Sequence, residues 1–239
     1  MELAAGRLQL EPFLDDSGRR PDCRIVPLGD TGGRTVLLED GSGLRVRIEP
    51  DPSGLKVAYP DHPFAAEALL RAAAHLVVKR AGGLLLHASG VSLHGAALVA
   101  VGPSGAGKST FAMLACLATS AQLLSDEIIA AFPDGTAIGT PFRSDVTHPG
   151  TPDAFPIASL LTLSKGGCER IDEVGPSEAV AAVMSQAWQA PVEPLSRAEI
   201  LQRVGALVSR VGVRRLTFRK DPAVADFVAQ WVREHRRHP

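Results

Sequence analysis

Residues 84–110 read LLLHASGVSLHGAALVAVGPSGAGKST, and this stretch decides the fold. Its end, residues 102–110, has the pattern G-x-x-x-x-G-K-S-T after an apolar run and before an Ala/Leu-rich helical pattern, which is the context of a phosphate-binding loop. Gly102, Gly105 and Gly107 allow positive φ angles, so consecutive N–H groups can turn inward toward phosphate oxygens at the start of the following helix. The pattern predicts a nucleoside triphosphate site, and an ordinary glycine-rich turn is the alternative interpretation.

Two side chains of this loop have separate predicted roles. Lys108 reaches the β- and γ-phosphates as a point charge, and the hydroxyl of Ser109 binds Mg²⁺. ATP and Mg²⁺ are therefore the expected ligands. The residues predicted to contact the nucleotide are Gly102, Pro103, Ser104, Gly105, Ala106, Gly107, Lys108, Ser109 and Thr110.

The residues before the loop predict an antiparallel hairpin. Two apolar runs, 84–93 and 96–101, are separated only by His94 and Gly95. Two residues of turn chemistry join antiparallel neighbours, whereas parallel neighbours need a crossover of about a dozen residues or more. The common nucleotide-binding α/β folds deliver their loop from a parallel strand, so this hairpin is diagnostic. It also puts His87 beside the loop.

Two acidic residues interrupt the next apolar run, a strand predicted over residues 122–132. Asp126 and Glu127 are costly in such a setting unless they are paired or bound to a metal. Because they lie one short helix beyond the loop, they can return beside the γ-phosphate. A solvent-facing acid pair on an edge strand is the alternative.

The stretch 139–156 is rich in proline and is predicted to be a loop. It contains Arg143, Asp145 and His148, and a loop of this kind can bring Arg143 to the substrate or to a phosphate. An ordinary surface loop accounts for each of these residues equally well.

Composition restricts the classes of function. The chain has 239 residues, 45% of them hydrophobic, and a net charge of 25 − 26 = −1. That balance recruits neither nucleic acid nor an acidic membrane. Cys23, Cys116 and Cys168 fit no metal-ligand spacing, which is typical of free thiols in a reducing compartment. No signal-peptide pattern or membrane-length apolar run is found, so we expect a soluble, cytoplasmic protein.

The remaining pattern predicts alternating strands and helices. Turn-rich residues 1–62 indicate a small β-rich unit containing a hairpin. The predicted elements after it are a helix over 63–81, a strand over 157–163 with a partner strand over 169–174, helices capped by Ser177 and by Ser196, a strand over 213–218 and a terminal helix from 221. A capping box, Ser196 to Glu199, opens the second of those capped helices.

Three segments together resemble the HPr kinase/phosphorylase family and its short bacterial relatives: residues 86–91, 102–110 and 123–127. The likeness covers residues 84–218. It implies an α/β core like that of phosphoenolpyruvate carboxykinase, with a mixed or antiparallel sheet in which a hairpin runs into the phosphate loop. It also implies phosphoryl transfer from ATP to a serine hydroxyl. Some of the short relatives phosphorylate the precursors of ribosomal peptides, including lasso peptides.

The resemblance implies roles for individual residues. The family's histidine falls on His87, its loop lysine and Mg²⁺-binding serine fall on Lys108 and Ser109, and its catalytic aspartate falls on Asp126. The second acid is Glu127 here. The sequence therefore leaves open which acid is the base and which helps to hold Mg²⁺.

The chain departs from the family pattern in two places. The family's Glu-Arg-Gly segment, which supplies a metal-binding glutamate, is replaced by residues 139–145, which contain Arg143 but no glutamate. The arginine loop associated with phosphorylase activity is not recognisable, and Arg197 matches it poorly. Both departures argue against the reverse reaction and against HPr as the substrate.

We therefore predict two domains, the β-rich unit 1–62 and an HPr-kinase-like kinase domain 63–239. The predicted function is a serine kinase with a peptide or protein substrate, whose catalytic residues are Asp126, His87, Lys108 and Glu127. A small-molecule kinase, a switch-type ATPase and a nucleotide sensor are the alternatives. The sequence leaves the oligomeric state open, a homo-oligomer included.

Overall fold

The computed structural model describes residues 25–27, 36–39, 45–51, 54–58, 63–118, 121–147, 149–190 and 193–235. They divide into two compact units, Met1–Ala81 with Gln189–Leu195, and Gly82–Trp188 with Ser196–Pro239. The predicted assignment of domains to 1–62 and 63–239 stays a prediction. None of the described helices is long and apolar enough to cross a membrane.

The described residues of the first unit form a four-stranded sheet and the helix α1 (Pro63–Arg80). Its strands are β1 (Ile25–Pro27), β2 (Val36–Glu39), β3 (Arg45–Asp51) and β4 (Gly54–Ala58), in the order β1-β4-β3-β2. The antiparallel β2–β3 pair confirms the predicted hairpin, and β3 also pairs antiparallel with β4. Helix α1 (Pro63–Arg80) buries Leu69, Ala72 and Leu76, which recur at the three- and four-residue spacing of one helix face.

The second unit is a mixed sheet with helices. Its strands are β5 (Leu84–Leu93), β6 (Ala96–Val101), β7 (Ala121–Ser125), β8 (Ile128–Ala131), β9 (Thr136–Ile138), β10 (Ala154–Lys165), β11 (Arg170–Glu173), β12 (Ala187–Trp188) and β13 (Val213–Phe218). Its helices are α2 (Lys108–Ala115), α3 (Pro176–Met184), α4 (Arg197–Val211) and α5 (Ala223–His235). The sheet order is β11-β13-β10-β6-β5-β8-β9, with β7 and β12 also paired to β5.

The antiparallel pairing of β5 with β6 confirms the predicted hairpin. His94 and Gly95 both have positive φ, 51° and 80°, as the central residues of a type I′ turn require. On its other side β6 is parallel to β10, and β10 is parallel to β13. The α/β class with a mixed sheet is therefore as predicted.

Three local predictions were wrong. The strand at 169–174 was expected beside the strand at 157–163, but β11 pairs with β13, which lies between β11 and β10. The run 122–132 is two strands, since the chain bends at the acid pair. Ser177 does not cap α3, which begins at Pro176 after Gly175 and has no side-chain cap. Proline suits this first position because its missing N–H would have had no helical partner.

The core of the second unit lies where α2 and α5 cover the sheet. Phe111 of α2 packs edge-to-face on Phe218 of β13, with ring centroids 6.1 Å apart. The buried residues of this cluster include Val91, Leu93, Leu98, Ala100, Phe111, Leu161, Leu216, Val228, Trp231 and Val232. The helix that follows the glycine-rich loop is thereby fixed on the sheet.

Candidate functional site

The glycine-rich loop occupies residues 102–107, between the end of β6 and the start of α2. The strand–loop–helix order predicted from the sequence is present. Gly102, Gly105 and Gly107 have φ values of 153°, 78° and 96°, which favour glycine. A Cβ on Gly102 would also lie 3.2 Å from the Cβ of Ala106. The loop therefore has a backbone conformation with three positive φ angles, which other residues adopt only rarely.

Lys108 folds back over this loop. Its Nζ donates to the carbonyl oxygens of Gly102 and Pro103, at 2.8 and 3.2 Å. The residue is only 7% exposed. Burial lowers the pKa of Lys108, and the charge of Glu127 partly offsets this by raising it. The ammonium is held by weak neutral acceptors, which a phosphate oxygen can replace with a stronger, charge-assisted bond.

Ser89 was missed by the sequence reasoning. It is fully buried on β5, and its hydroxyl donates to the carbonyl oxygen of Lys108 at 2.8 Å. This bond ties β5 to the first turn of α2, because Lys108 opens that helix. The available signal was a polar residue within the apolar run 84–93.

The acid pair lies across β5 from the glycine-rich loop. Strands β7 and β8 both run antiparallel to β5, with Ser125 opposite Gly90 and Ile128 opposite His87. Asp126 and Glu127 therefore stand opposite Ala88 and Ser89, and the N–H of Ala88 donates to the carbonyl oxygen of Glu127 at 3.1 Å. Ala88 pairs on its other side with Val101, the last residue of β6. One strand thus separates the acids from the loop.

Glu127 is brought together with two of the other predicted residues. Its Oε1 lies 3.8 Å from Nδ1 of His87, with side chains 19% and 36% exposed respectively. Its charge also acts on Lys108. A partly accessible carboxylate beside an imidazole can accept a proton from a hydroxyl.

Asp126 has a different environment. Its Oδ1 accepts from the backbone N–H of Ser144 at 3.0 Å, and its Oδ2 accepts from those of Asp145 and Val146 at 2.8 and 3.0 Å. The residue is 2% exposed. Both oxygens face the chain segment that follows β9, so of the two acids the geometry favours Glu127 as the one able to meet a substrate.

Arg143 lies in that same segment, and its Nη1 donates to the carbonyl oxygen of Thr147 at 3.1 Å. Its contact with a substrate or phosphate stays a prediction. His148 is outside the described residues.

The groups available for Mg²⁺ are few. No cluster of three or more His, Cys, Asp or Glu that could hold a metal was found within the described ranges. Mg²⁺ commonly takes one or two carboxylates and otherwise water and phosphate oxygens, so the absence of such a cluster is compatible with its binding. Ser109, half-buried in the first turn of α2, is the residue that would hold it here, together with water and phosphate oxygens.

No protein-family model matches the chain. No curated protein matches it either. Among solved structures, the HPr(Ser) kinase/phosphatase from Coxiella burnetii is similar, with a TM-score of 0.33 and 14% sequence identity over 64% of this chain and 95% of that one. So distant a likeness carries no argument about activity, and membership of the HPr kinase-like family stays a prediction.

Proposed function

We propose that this chain is an ATP- and Mg²⁺-dependent kinase that transfers the γ-phosphoryl group to a serine hydroxyl of a peptide or protein. The observation that supports the proposal most is the position of Glu127. It lies across β5 from the glycine-rich loop, 3.8 Å from His87, and its charge acts on Lys108. A carboxylate thus lies close enough to influence the ammonium of a loop that can hold phosphates.

Glu127 is proposed to remove the proton from the acceptor hydroxyl. The hydroxyl oxygen forms a bond to the γ-phosphorus, the bond from that phosphorus to the β–γ bridging oxygen breaks, and ADP leaves with that electron pair. The N–H groups of residues 103–109 hold the phosphates, and Lys108 neutralises charge on the transferred group. Mg²⁺ held by Ser109, water and the phosphate oxygens would supply further neutralisation. His87 orients Glu127 and stabilises the protonated acid.

The choice of Glu127 over Asp126 follows from their hydrogen bonds. Asp126 already accepts three backbone N–H bonds and is 2% exposed. A substrate hydroxyl would have to displace one of these charge-assisted bonds to reach it. Glu127 is the more accessible of the two acids, with 19% of its side chain exposed.

The decisive experiment is incubation with Mg²⁺, γ-¹⁸O-labelled ATP and a panel of serine-containing peptides, followed by mass spectrometry. A labelled phosphopeptide supports the proposal. A labelled small molecule from a metabolite panel would move the assignment to a small-molecule kinase. ATP hydrolysis at the same rate with and without every acceptor, with no labelled product, would overturn phosphoryl transfer in favour of an ATPase.

Two variants test the residue roles in the same assay. Glu127→Gln should lower kcat by about 10²–10⁴-fold while nucleotide affinity stays within a few-fold, because the amide keeps the shape but cannot take the proton. Lys108→Ala should remove nucleotide binding and turnover together. Unchanged turnover in Glu127→Gln would refute its role as the base.

A further inference from the structure

The described residues of the segment 139–151, which are 139–147 and 149–151, lie directly on the backbone of β7. A Cβ on Gly139 would come 1.8 Å from the carbonyl oxygen of Thr151, and a Cβ on Gly150 would come 1.8 Å from that of Leu124. The N–H of Thr151 donates to the carbonyl oxygen of Leu123 at 2.9 Å. So close an approach of two backbones is open only to glycine. The segment therefore packs against β7, backbone to backbone.

The centre of the segment is held by the Asp126 carboxylate. Three consecutive N–H groups, those of Ser144, Asp145 and Val146, converge on its two oxygens. Such a run of amides forms a small anion-binding concavity, which Asp126 fills from within the chain. A buried carboxylate needs these donors, because burying it without partners would be very costly.

Ser125 joins the same segment to the turn that carries Glu127. Its buried hydroxyl donates to the carbonyl oxygen of Phe142 at 2.6 Å. The same oxygen accepts from the N–H groups of Glu127 and Ile128, at 3.1 and 3.2 Å. One hydroxyl therefore contacts both the segment and the turn 125–128. Thr140 adds a further bond from its hydroxyl to the carbonyl oxygen of Ile128, at 2.5 Å.

We propose that Asp126 is a positioning residue: together with Ser125 it holds residues 142–146 against the turn 125–128 and so keeps Glu127 directed toward His87. The inference rests on the proposed function, in which Glu127 is the base. Asp126 then acts through Glu127 and does not touch the reacting atoms.

Amide hydrogen exchange tests the contact between residues 142–146 and the turn 125–128 without any nucleotide. In Asp126→Asn the side-chain NH₂ would oppose the backbone donors, so exchange at Ser144, Asp145 and Val146 should rise roughly tenfold or more. Trypsin should also cut the Arg143–Ser144 bond faster, and mass spectrometry identifies that fragment. Asp145→Asn is the matched control, because the exposed Asp145 side chain lies in the same segment. Unchanged exchange at these three amides in Asp126→Asn would overturn the proposal.

Ser125→Ala is the milder second variant, to be used if Asp126→Asn does not fold. It removes the bonds to Phe142, Glu127 and Ile128. The proposal expects faster exchange at Glu127 and Ile128 with the rest of the sheet still protected. Full protection of both amides in Ser125→Ala would contradict it.

The ring ¹⁵N signals of His87 separate positioning of Glu127 from a general loosening of the fold, because Oε1 of Glu127 lies 3.8 Å from Nδ1 of His87. If Asp126→Asn lets Glu127 turn away, these signals at a fixed pH should move in the same direction as in Glu127→Gln. Asp145→Asn should leave them in place, and ADP affinity should stay within a few-fold in all three variants. Unmoved signals in Asp126→Asn, where Glu127→Gln moves them, would reduce Asp126 to a structural residue.

These measurements fail separately from the proposed function. Hydrogen exchange and proteolysis need no acceptor, and ADP binding needs no phosphoryl transfer. A protein that never phosphorylates any acceptor can still hold residues 142–146 through Asp126, and an active kinase can still lack this contact.

Discussion

Lys108 is the residue on which the proposed phosphate binding depends most. Its ammonium is buried, is bonded to two carbonyl oxygens and is influenced by the charge of Glu127. Desolvation disfavours the charged amine, so its pKa lies below the ordinary value of 10.5. The charge that would meet a triphosphate is therefore more easily lost on raising the pH than that of a surface lysine.

We accordingly expect nucleotide affinity to fall at alkaline pH. The protonated amine is required, and its fraction decreases as the pH rises through its pKa. Because burial lowers that pKa, the fall begins at a lower pH than for a solvent-exposed lysine. Calorimetric titration with ADP·Mg²⁺ across the alkaline range measures it. Lys108→Arg stays charged throughout this range, so its affinity for ADP should not fall at alkaline pH. A wild-type affinity that falls over the same pH range as that of Lys108→Arg would show that Lys108 does not meet the phosphates.

At the scale of the element, the start of α4 is the clearest local device. Ser196 accepts from the N–H of Glu199 at 3.3 Å, and the Glu199 carboxylate accepts from the N–H of Ser196 at 2.8 Å. This reciprocal pair satisfies two donors that a helix start leaves without helical partners. The same sequence logic failed for Ser177, because α3 begins one residue earlier, at Pro176.

Ser196→Ala should lower the free energy of unfolding by about 1 kcal/mol. Ser177→Ala is its matched control: both serines stand at helix starts, but only Ser196 caps one. Ser177→Ala should change the free energy of unfolding by less than about 0.5 kcal/mol. Urea denaturation of the two variants and the wild type gives the comparison. Equal values for the two variants would mean that the capping box contributes nothing measurable.

Gly150 tests the contact between the segment 139–151 and β7. Its Cβ would come within 1.8 Å of the Leu124 carbonyl oxygen, so Gly150→Ala must push the two backbones apart. We expect a loss of more than about 2 kcal/mol in the free energy of unfolding. Gly175→Ala is the control, because a Cβ there would meet nothing within 4 Å and φ is −62°. Thermal unfolding with equal midpoints for both variants would show that the segment does not hold this position.

At the scale of the whole molecule, the candidate site lies on the sheet that carries the main core, so a ligand there should change the free energy of unfolding. The loop residues follow β6, which lies between β5 and β10, and α2 packs into the main core. A ligand that binds the folded loop but not the unfolded chain raises the free energy of unfolding by an amount set by its concentration relative to Kd. Nucleotide binding should therefore be visible in the unfolding of the second unit.

ATP·Mg²⁺ at about 100 times its Kd should stabilise the protein by about 2.7 kcal/mol. For a chain of this size that corresponds to a rise of roughly 5–10 °C in Tm. Differential scanning fluorimetry measures the shift, with Lys108→Ala as the variant that should show none. A wild-type Tm that does not move at millimolar ATP·Mg²⁺ would argue against the nucleotide site itself.

The local sequence was sufficient for those features that depend on backbone preference within a few residues. The His94-Gly95 turn, the hairpin it closes, the positive φ angles of the glycine-rich loop and the capping box at Ser196 all belong to this kind. Each is decided by which φ and ψ angles the residues accept and by donors three or four positions away, so a short window of sequence contains the whole physical cause.

Only the tertiary structure decided how the two acids differ. Adjacent residues of one bend have indistinguishable sequence contexts, yet Asp126 faces amides 18 to 20 residues further along the chain, and Glu127 faces His87 on another strand. The insertion of β13 between β10 and β11 was undetectable for the same reason. Strand order and side-chain direction are set by contacts between distant segments, whose free energy depends on how the whole sheet packs and not on any local preference.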